Sequence, residues 1–312
     1  MAGSPVKVLV CDPLAQSAID QMKQAGLDVT VKTGLKPQEL AEIISPFQIL
    51  AVRSGTKVTA QVIEAAKNLK LIVRAGVGLD NVDAEAARKK GIDVQNTPHA
   101  TTNTVAEHTM ALMLSLVRHI PQAQASLKRG EWDRKNFQGV ELRGKVLGVV
   151  GLGRIGQEVA KRAKAFGMEV IAHDSVVTSE VAEALEIELV PLVDLVKRAD
   201  FISLHLPLNE ATHHLFDKSL LSKMKKGSYL INASRGGIVD EGALLELLKK
   251  EQIAGAALDV YEEEPPKNNP LFELKQVVAV PHLGAMTKEG QERAGAEAAH
   301  CIIEFAKVSL HG

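Results

Sequence analysis

The stretch over residues 145–174, KVLGVVGLGRIGQEVAKRAKAFGMEVIAHD, constrains this chain more than any other. Its first six residues form an apolar run suited to a buried parallel strand. Gly151, Gly153 and Gly156 follow in the G-x-G-x-x-G spacing, with Arg154 and Ile155 between the second and third glycines. Gly151 lets the chain turn sharply, Gly153 lets backbone approach a pyrophosphate, and Gly156 lets helix and strand pack closely. Residues 154–166 have helical spacing, with Ile155, Val159 and Ala163 on one face, and the helix start would aim N–H groups at an anion. Residues 168–173 read as the next strand, and Asp174 ends it, eighteen positions beyond Gly156. A glycine-rich turn alone is a weak signal; strand, helix and acid in this order make it a dinucleotide site. An acid there accepts hydrogen bonds from the adenosine ribose hydroxyls and repels a 2′-phosphate. Ser175, Val176 and Val177 supply no cation for that phosphate, so the cofactor is read as NAD rather than NADP.

A chain of 312 residues exceeds a comfortable single core, and two domains are expected. A net charge of −1 gives no electrostatic case for nucleic acid or an anionic membrane. Cys11 and Cys301 lie far apart without metal or redox spacing, so they read as buried thiols in a reducing compartment, and no metal is expected. No signal peptide is read at the start, and the longest apolar helix is too interrupted by His and Glu to span a bilayer. The expected location is the cytoplasm.

The first hundred residues repeat a strand-then-helix rhythm. Residues 6–11, 29–32, 49–53, 69–74 and 92–96 read as strands, and 14–25, 37–44, 59–66 and 83–90 as helices. Asp12 and Pro13 read as the start signal of the first helix, and Gly26 as its C-cap. Such alternation implies a parallel sheet with helices on its faces. Two loops pair an arginine with glycine at a strand's carboxyl end: Arg53-Ser54-Gly55 and Arg74-Ala75-Gly76-Val77-Gly78. Ligands of open α/β sheets bind at that end, so both loops are candidate acid-binding elements.

Residues 101–118 form a long helix, apolar on so many sides that it reads as buried between domains or subunits. Pro121 should end or kink it, and the segment with the sole tryptophan, Trp132, reads as a packed connecting arm. Beyond Asp174, residues 201–206, 228–232, 255–260 and 277–280 read as strands. Residues 192–197, 218–224, 241–250 and 288–307 read as helices. This second domain is Rossmann-like.

Polar clusters close these later strands: Asn232 to Gly237, Asp259, Glu262 to Glu264, and Pro281 to Gly284. Together they fit nicotinamide chemistry on a 2-hydroxy acid. That chemistry needs a cation on the carboxylate and carbonyl, and a group titrating near neutrality to exchange the hydroxyl proton. Arg235 suits the first task, His282 the second, and Glu264 can fix the imidazole's tautomer and raise its pKa.

The segments ASRGGIVDEGAL, ALDVYEEEPP and PHLGA, with GLGRIG before them, resemble the signatures of the D-2-hydroxyacid dehydrogenase family. The resemblance covers the chain from Val6 to about Phe305. It implies that Arg235, Glu264 and His282 are the catalytic set and that Asp259 contacts the nicotinamide end. It further implies that Leu206, Pro207, Ala233, Ser234, Gly284 and Ala285 join the glycine loop and Asp174 in holding the cofactor. The implied architecture is α/β, with two Rossmann-like or flavodoxin-like parallel-sheet domains. The NAD domain, residues 98–282, is inserted in a substrate domain made of 1–97 and 283–312. The 101–140 region resembles the family's dimerisation elements, which implies a homodimer.

Within the family, VRSGTKVT and VRAGVGLDNVD most resemble members that act on D-3-phosphoglycerate at the entry to serine synthesis. A phosphate needs cationic partners, and Arg53 and Arg74 supply them. Ser54, Gly55, Gly76 and Val77 complete the implied substrate loops, and Arg134 matches a position that can reach a neighbouring subunit's substrate. The partner is then a phosphorylated 2-hydroxy or 2-keto acid. In place of the family's glycine-asparagine pair after Asn96-Thr97-Pro98 stands His99-Ala100-Thr101-Thr102. A short form without regulatory domains is expected from the chain's length. Two other functions stand beside this one: a glyoxylate or hydroxypyruvate reductase of the same family, and an NAD(H)-sensing transcriptional corepressor.

Overall fold

Alternation inside short apolar runs decides which face each side chain covers. In Val8-Leu9-Val10, Ile49-Leu50-Ala51-Val52 and Leu71-Ile72-Val73 every residue is buried. Successive residues point to opposite faces of a strand, so a run apolar throughout requires cover on both sides. The computed structural model describes residues 5–309 and divides into two units, Met1–Thr101 with Ala285–Gly312, and Thr102–Gly284. The breaks fall after Thr101 and Gly284, where the sequence reading placed them after Thr97 and His282; the outer ends of the expected ranges lie outside the described residues.

In the first unit the elements are β1 (Lys7–Val10), α1 (Gln16–Gln24), β2 (Asp28–Val31), α2 (Pro37–Ile43), β3 (Ile49–Val52), α3 (Ala60–Ala65), β4 (Leu71–Arg74), α4 (Ala84–Lys89) and β5 (Asp93–Asn96). The five strands pair in parallel in the order β2-β1-β3-β4-β5. Val8, Val10, Ile49, Ala51, Leu71 and Val73 pack on one face with Ala18, Ile19 and Met22 of α1 and with Ala294, Ala298, Ala299 and Ile302 of the helix Lys288–Ser309. Leu9, Leu50, Val52 and Ile72 face the other way, against Leu40, Val62, Ile63 and Ala87 of α2, α3 and α4. Gly26 ends α1 as expected: at φ +85° its amide donates to Lys23, and the Leu27 amide donates to Met22. The expected helix start at Asp12 and Pro13 is corrected, because α1 begins at Gln16 with Ala15 as N-cap. Asp12 is otherwise engaged, in the loop after β3.

The second unit holds α5 (Thr102–Val117), α6 (Ile120–Lys128), β6 (Val146–Val150), α7 (Arg154–Ala165), β7 (Glu169–His173), α8 (Ser179–Ala184), β8 (Glu188–Leu189), α9 (Leu192–Arg198), β9 (Phe201–Leu204), α10 (Lys218–Leu221), β10 (Ser228–Asn232), α11 (Glu241–Lys249), β11 (Ile253–Leu258) and β12 (Val277–Ala279). The helix Lys288–Ser309 of the first unit is α12. The second unit's seven parallel strands run β12-β11-β10-β9-β6-β7-β8, so the direction of winding reverses between β6 and β9. Leu147, Val149, Phe201, Ile231 and Ala257 pack under α5, α7 and α8, and Val150, Ile202, Leu204 and Leu230 under α9, α10 and α11.

Three expectations about the connecting region change. Ala106, Met110, Leu112, Met113, Leu116 and Val117 of α5 lie in the second unit's own core, beside Leu147 and Val149, so these faces need no second domain or subunit. Pro121 begins a helix: it sits in the first turn of α6, where its missing N–H costs no hydrogen bond. Trp132 is not packed, being 78% exposed. The sequence marks neither α6 nor the short α8 and β8, because elements of two to nine residues carry too little periodicity. Among the described residues, no helix is long and apolar enough to cross a membrane.

Phe201 is fully buried and stacks on Tyr229 with ring centroids 5.0 Å apart. Phe201→Ala should therefore lower the unfolding free energy by about 3–5 kcal/mol. Val176→Ala, at a residue 85% exposed, should shift it by no more than about 0.5 kcal/mol. Denaturant titration of the two variants distinguishes a core position from a surface one.

Candidate active site

The loop that follows β6 is shaped by two backbone contacts. Gly151 has φ +93°, and a Cβ there would meet the His205 carbonyl oxygen at 2.5 Å. A Cβ on Gly156 would strike the Gly151 carbonyl, so helix α7 can approach the loop only without a side chain at that position. Gly153 differs: nothing lies within 4 Å of its would-be Cβ, and it N-caps α7 with no side chain bonding the first-turn amides. Open space beside uncapped helix amides suits a pyrophosphate, so these residues fit a dinucleotide.

Asp174, past β7, stands beside that loop. Its carboxylate accepts the amides of Leu152 at 2.6 Å, Val176 at 2.7 Å and Val177 at 2.9 Å. Burial pushes this carboxyl up, but the three amides outweigh it and hold the group below the usual carboxylate range. It is an anion at neutral pH, and partly exposed. Past β9, Leu206 and Pro207 follow His205, which burial pushes down to about 4 and whose Nε2 lies 2.9 Å from Ser203 Oγ.

Past β10 the chain is knotted to itself. The Asn232 side chain accepts from the Ser234 amide and hydroxyl and donates to the Arg235 carbonyl at 2.8 Å. Ala233 and Ser234 are buried, and Arg235 donates from Nη1 to the Ser234 carbonyl at 2.7 Å. A side chain at Gly236 would strike the Tyr261 backbone, so glycine lets the Arg235 loop lie against the loop that carries Glu264. The Tyr261 amide in turn donates to Glu264 Oε1 at 3.1 Å.

Glu264 Oε2 lies 2.7 Å from His282 Nδ1, the pair predicted from sequence. The contact places the Nδ1 proton on the glutamate side and leaves Nε2 for exchange. Hydrogen bonding to Glu264 raises the His282 pKa; burial lowers it, and the charges of Glu264 and Asp259 raise it further. For Glu264, burial is outweighed by His282 and the Tyr261 amide, and its pKa falls. His282 has φ +52° and its amide donates to the Asp259 carbonyl.

Asp259 itself is fully buried. It accepts the Leu283 amide at 2.6 Å and the Gly284 amide at 2.8 Å, and thereby fixes the backbone just past His282. His108 of α5, which sequence reading did not single out, brings Nε2 to 3.3 Å from the same carboxylate. Gly284 is buried and Ala285, where the first unit resumes, is half-buried.

In the first unit, the register aligns Val52 of β3 with Arg74 of β4. Arg53 and Arg74 therefore stand at the same carboxyl rim on adjacent strands. Asp12 Oδ2 accepts the Arg53 amide at 2.6 Å and the Thr56 amide at 3.1 Å. Asn81 donates to the Arg53 and Thr56 carbonyls, each at 2.6 Å. Gly76 has φ +149°, and the Arg74 guanidinium lies where its Cβ would be; Asn96 donates to the Val77 carbonyl. Ser54 and Gly55 are exposed, and Arg134 is exposed on a 3₁₀ turn, Arg134–Asn136. Asp12 shared a readable signal with two acids that were found. Asp174 and Asp259 directly follow β7 and β11, and Asp12 follows β1 with only the buried Cys11 between.

Residues 110–284 match the D-isomer specific 2-hydroxyacid dehydrogenase family over its NAD binding domain, and the chain belongs to that family. Among its relatives, the D-3-phosphoglycerate dehydrogenase of Methanocaldococcus jannaschii is 56% identical over 306 residues, 98% of this chain. The chain spans 58% of that relative's length. A hydroxypyruvate reductase of Thermotoga maritima is 48% identical, with 96% of this chain and 97% of that one covered. The crystal structure of D-lactate dehydrogenase from Aquifex aeolicus complexed with NAD and lactic acid is similar at a TM-score of 0.87 and 29% identity, covering 98% of this chain and 96% of that one.

The Glu264–His282 pair defines a pH window. Its contribution to stability is present above the ordinary carboxylate value and below the ordinary histidine value. It is lost as pH falls through the lowered Glu264 value or rises through the raised His282 value. Glu264→Gln should move the His282 titration midpoint, followed by NMR of the imidazole protons, to lower pH. An unmoved midpoint would show that Glu264 does not set it.

Proposed function

We propose that this chain oxidises D-3-phosphoglycerate to 3-phosphohydroxypyruvate, reversibly and with NAD. The observation that carries the substrate assignment is the register of β3 and β4, which aligns Val52 with Arg74 and so brings Arg53, one residue on, to the same carboxyl rim as Arg74. A phosphate needs such paired cations, and each charge-assisted hydrogen bond contributes about 1.5–3 kcal/mol. The Methanocaldococcus relative supports the same substrate.

Each remaining step falls to a named group. Arg235 holds the carboxylate and polarises the C2 oxygen. Neutral His282 takes the hydroxyl proton at Nε2, while Glu264 holds Nδ1–H and stabilises the imidazolium that forms. In the reverse direction His282 returns that proton to the carbonyl oxygen. Bound NAD supplies the hydride acceptor, held by Gly151, Gly153, Arg154, Ile155 and Gly156, with Leu206, Pro207, Ala233, Ser234, Gly284 and Ala285 as further cofactor residues and buried Asp259 acting at the nicotinamide end through the Leu283 and Gly284 amides it holds. Ionised Asp174 takes the ribose hydroxyls and disfavours NADP. Ser54, Gly55, Gly76 and Val77 line the acid-binding loops. A homodimer through residues 101–140 is supported by Ile120, Leu127 and Trp132, exposed at 53%, 58% and 78% on α6 and the arm after it. In that dimer Arg134 serves the neighbouring subunit's substrate. The enzyme is read as cytoplasmic.

The Thermotoga relative favours a second reading, hydroxypyruvate reduction without a phosphate. Steady-state oxidation of NADH separates the two. The kcat/KM for 3-phosphohydroxypyruvate should exceed that for hydroxypyruvate by at least about a hundredfold, because two charge-assisted bonds total about 3–6 kcal/mol. Arg53→Ala with Arg74→Ala should narrow the gap, and NADH should be preferred over NADPH. Equal kcat/KM for both acids would sink the phosphate reading. Arg235→Ala should lose at least about a hundredfold in kcat while NADH fluorescence titration shows unchanged binding. Full turnover in that variant would remove Arg235 from its role.

A further inference from the structure

We infer that Asp12 and Asn81 are positioning residues for substrate, acting through the loop Arg53-Ser54-Gly55-Thr56. The inference rests on the reading above in which that loop binds the acid.

Both residues come from outside the loop. Asp12 follows β1 and Asn81 lies between β4 and α4, while the loop follows β3, the strand between β1 and β4 in the sheet. Asp12 is 7% exposed, and one carboxylate oxygen accepts both the Arg53 and the Thr56 amides. The Asn81 side-chain nitrogen donates to the carbonyls of the same two residues. Thr56 Oγ1 adds a bond to the Cys11 carbonyl at 3.2 Å. The two ends of the loop are thus gripped through all four of their backbone polar groups. Ser54 and Gly55, between the grips, are the exposed part.

This arrangement has a chemical logic. A carboxylate buried beneath a loop that receives an anion would repel it if its charge were unmatched. Two amide donors on Asp12 Oδ2 offset that charge and turn the Arg53 and Thr56 N–H groups inward. The arginine side chain then starts from a backbone that does not have to be ordered when substrate arrives, and pre-ordering favours binding. Space sets the geometry as well: a Cβ on Gly55 would meet Asp12 Oδ1 at 2.6 Å.

Steady-state kinetics of the full chain test this. Asp12→Ala and Asn81→Ala should each raise KM for 3-phosphohydroxypyruvate at least tenfold. The KM for NADH should not move, because the glycine loop belongs to the other unit, and kcat should change far less than KM. Asp12→Asn, whose carbonyl oxygen can accept both amides, should recover most of the loss. That rescue and the selective KM effect are readouts that general destabilisation does not produce. If Asp12→Ala fails to fold, Asn81→Ala and Asp12→Asn decide. Arg53→Ala is measured alongside. A raised KM in Arg53→Ala with wild-type KM in the Asp12 and Asn81 variants overturns the positioning role and leaves the substrate reading intact. Wild-type KM in all of them overturns the role of Arg53 and the inference with it.

Discussion

Parallel pairing throughout both sheets is the constraint on which the rest depends. It brings every strand's carboxyl end to one rim of its sheet, so loops far apart in sequence become neighbours without further instruction. In the second unit that rim collects the Gly151 loop, Asp174, Ser234, Arg235, Asp259 and His282, from residues spread over more than half the unit. In the first it collects Arg53 and Arg74. Cover on both faces is the cost of this geometry, and the uninterrupted apolar runs of β1, β3 and β4 supply what the helices need to bury.

An acid just past a strand end fixes the neighbouring loop in three places. Asp12 after β1 holds amides in the loop after β3; Asp174 after β7 holds Leu152 in the loop after β6; Asp259 after β11 holds Leu283 and Gly284 after β12. In each case the two strands are immediate partners in the sheet. Backbone at a rim has no ladder left to satisfy its N–H groups, and a buried carboxylate does so more strongly than a neutral acceptor. Asp174 combines this task with a partly exposed, ionised position beside the glycine loop, whereas Asp259 is wholly enclosed.

Most of the strands and helices are legible because uninterrupted apolar runs bounded by turn residues, and 3.6-residue spacing, are local properties. The Glu264–His282 contact was legible for a different reason: the chemistry calls for a carboxylate beside the imidazole, and the family signature agrees on Glu264 among Glu262, Glu263 and Glu264. What escaped was mostly long-range. Asp12 looked like a helix start because Asp before Pro usually is one, and only the fold shows its carboxylate turned across to β3. His108 sits mid-helix among apolar residues, with nothing in its surroundings in sequence to indicate Asp259 one hundred and fifty-one positions later. Trp132 was misjudged because a lone tryptophan is usually buried, and exposure is a property of the whole surface.

The last helix has a consequence for biosynthesis. Ala294, Ala298, Ala299 and Ile302 of α12 cover Val8, Val10, Ile49 and Val73, strands made at the opposite end of the chain. A ribosome adding roughly 5–20 residues per second needs roughly 10–40 s to travel from the end of β5 to the start of α12. Throughout that interval one face of the first sheet lacks half its lid, while the inserted unit is being made and has every element of its own core by the interval's end. The order of emergence is therefore the reverse of the order of completion: the sheet made first is finished last, and its apolar face is the surface a nascent chain of this kind must keep from premature company.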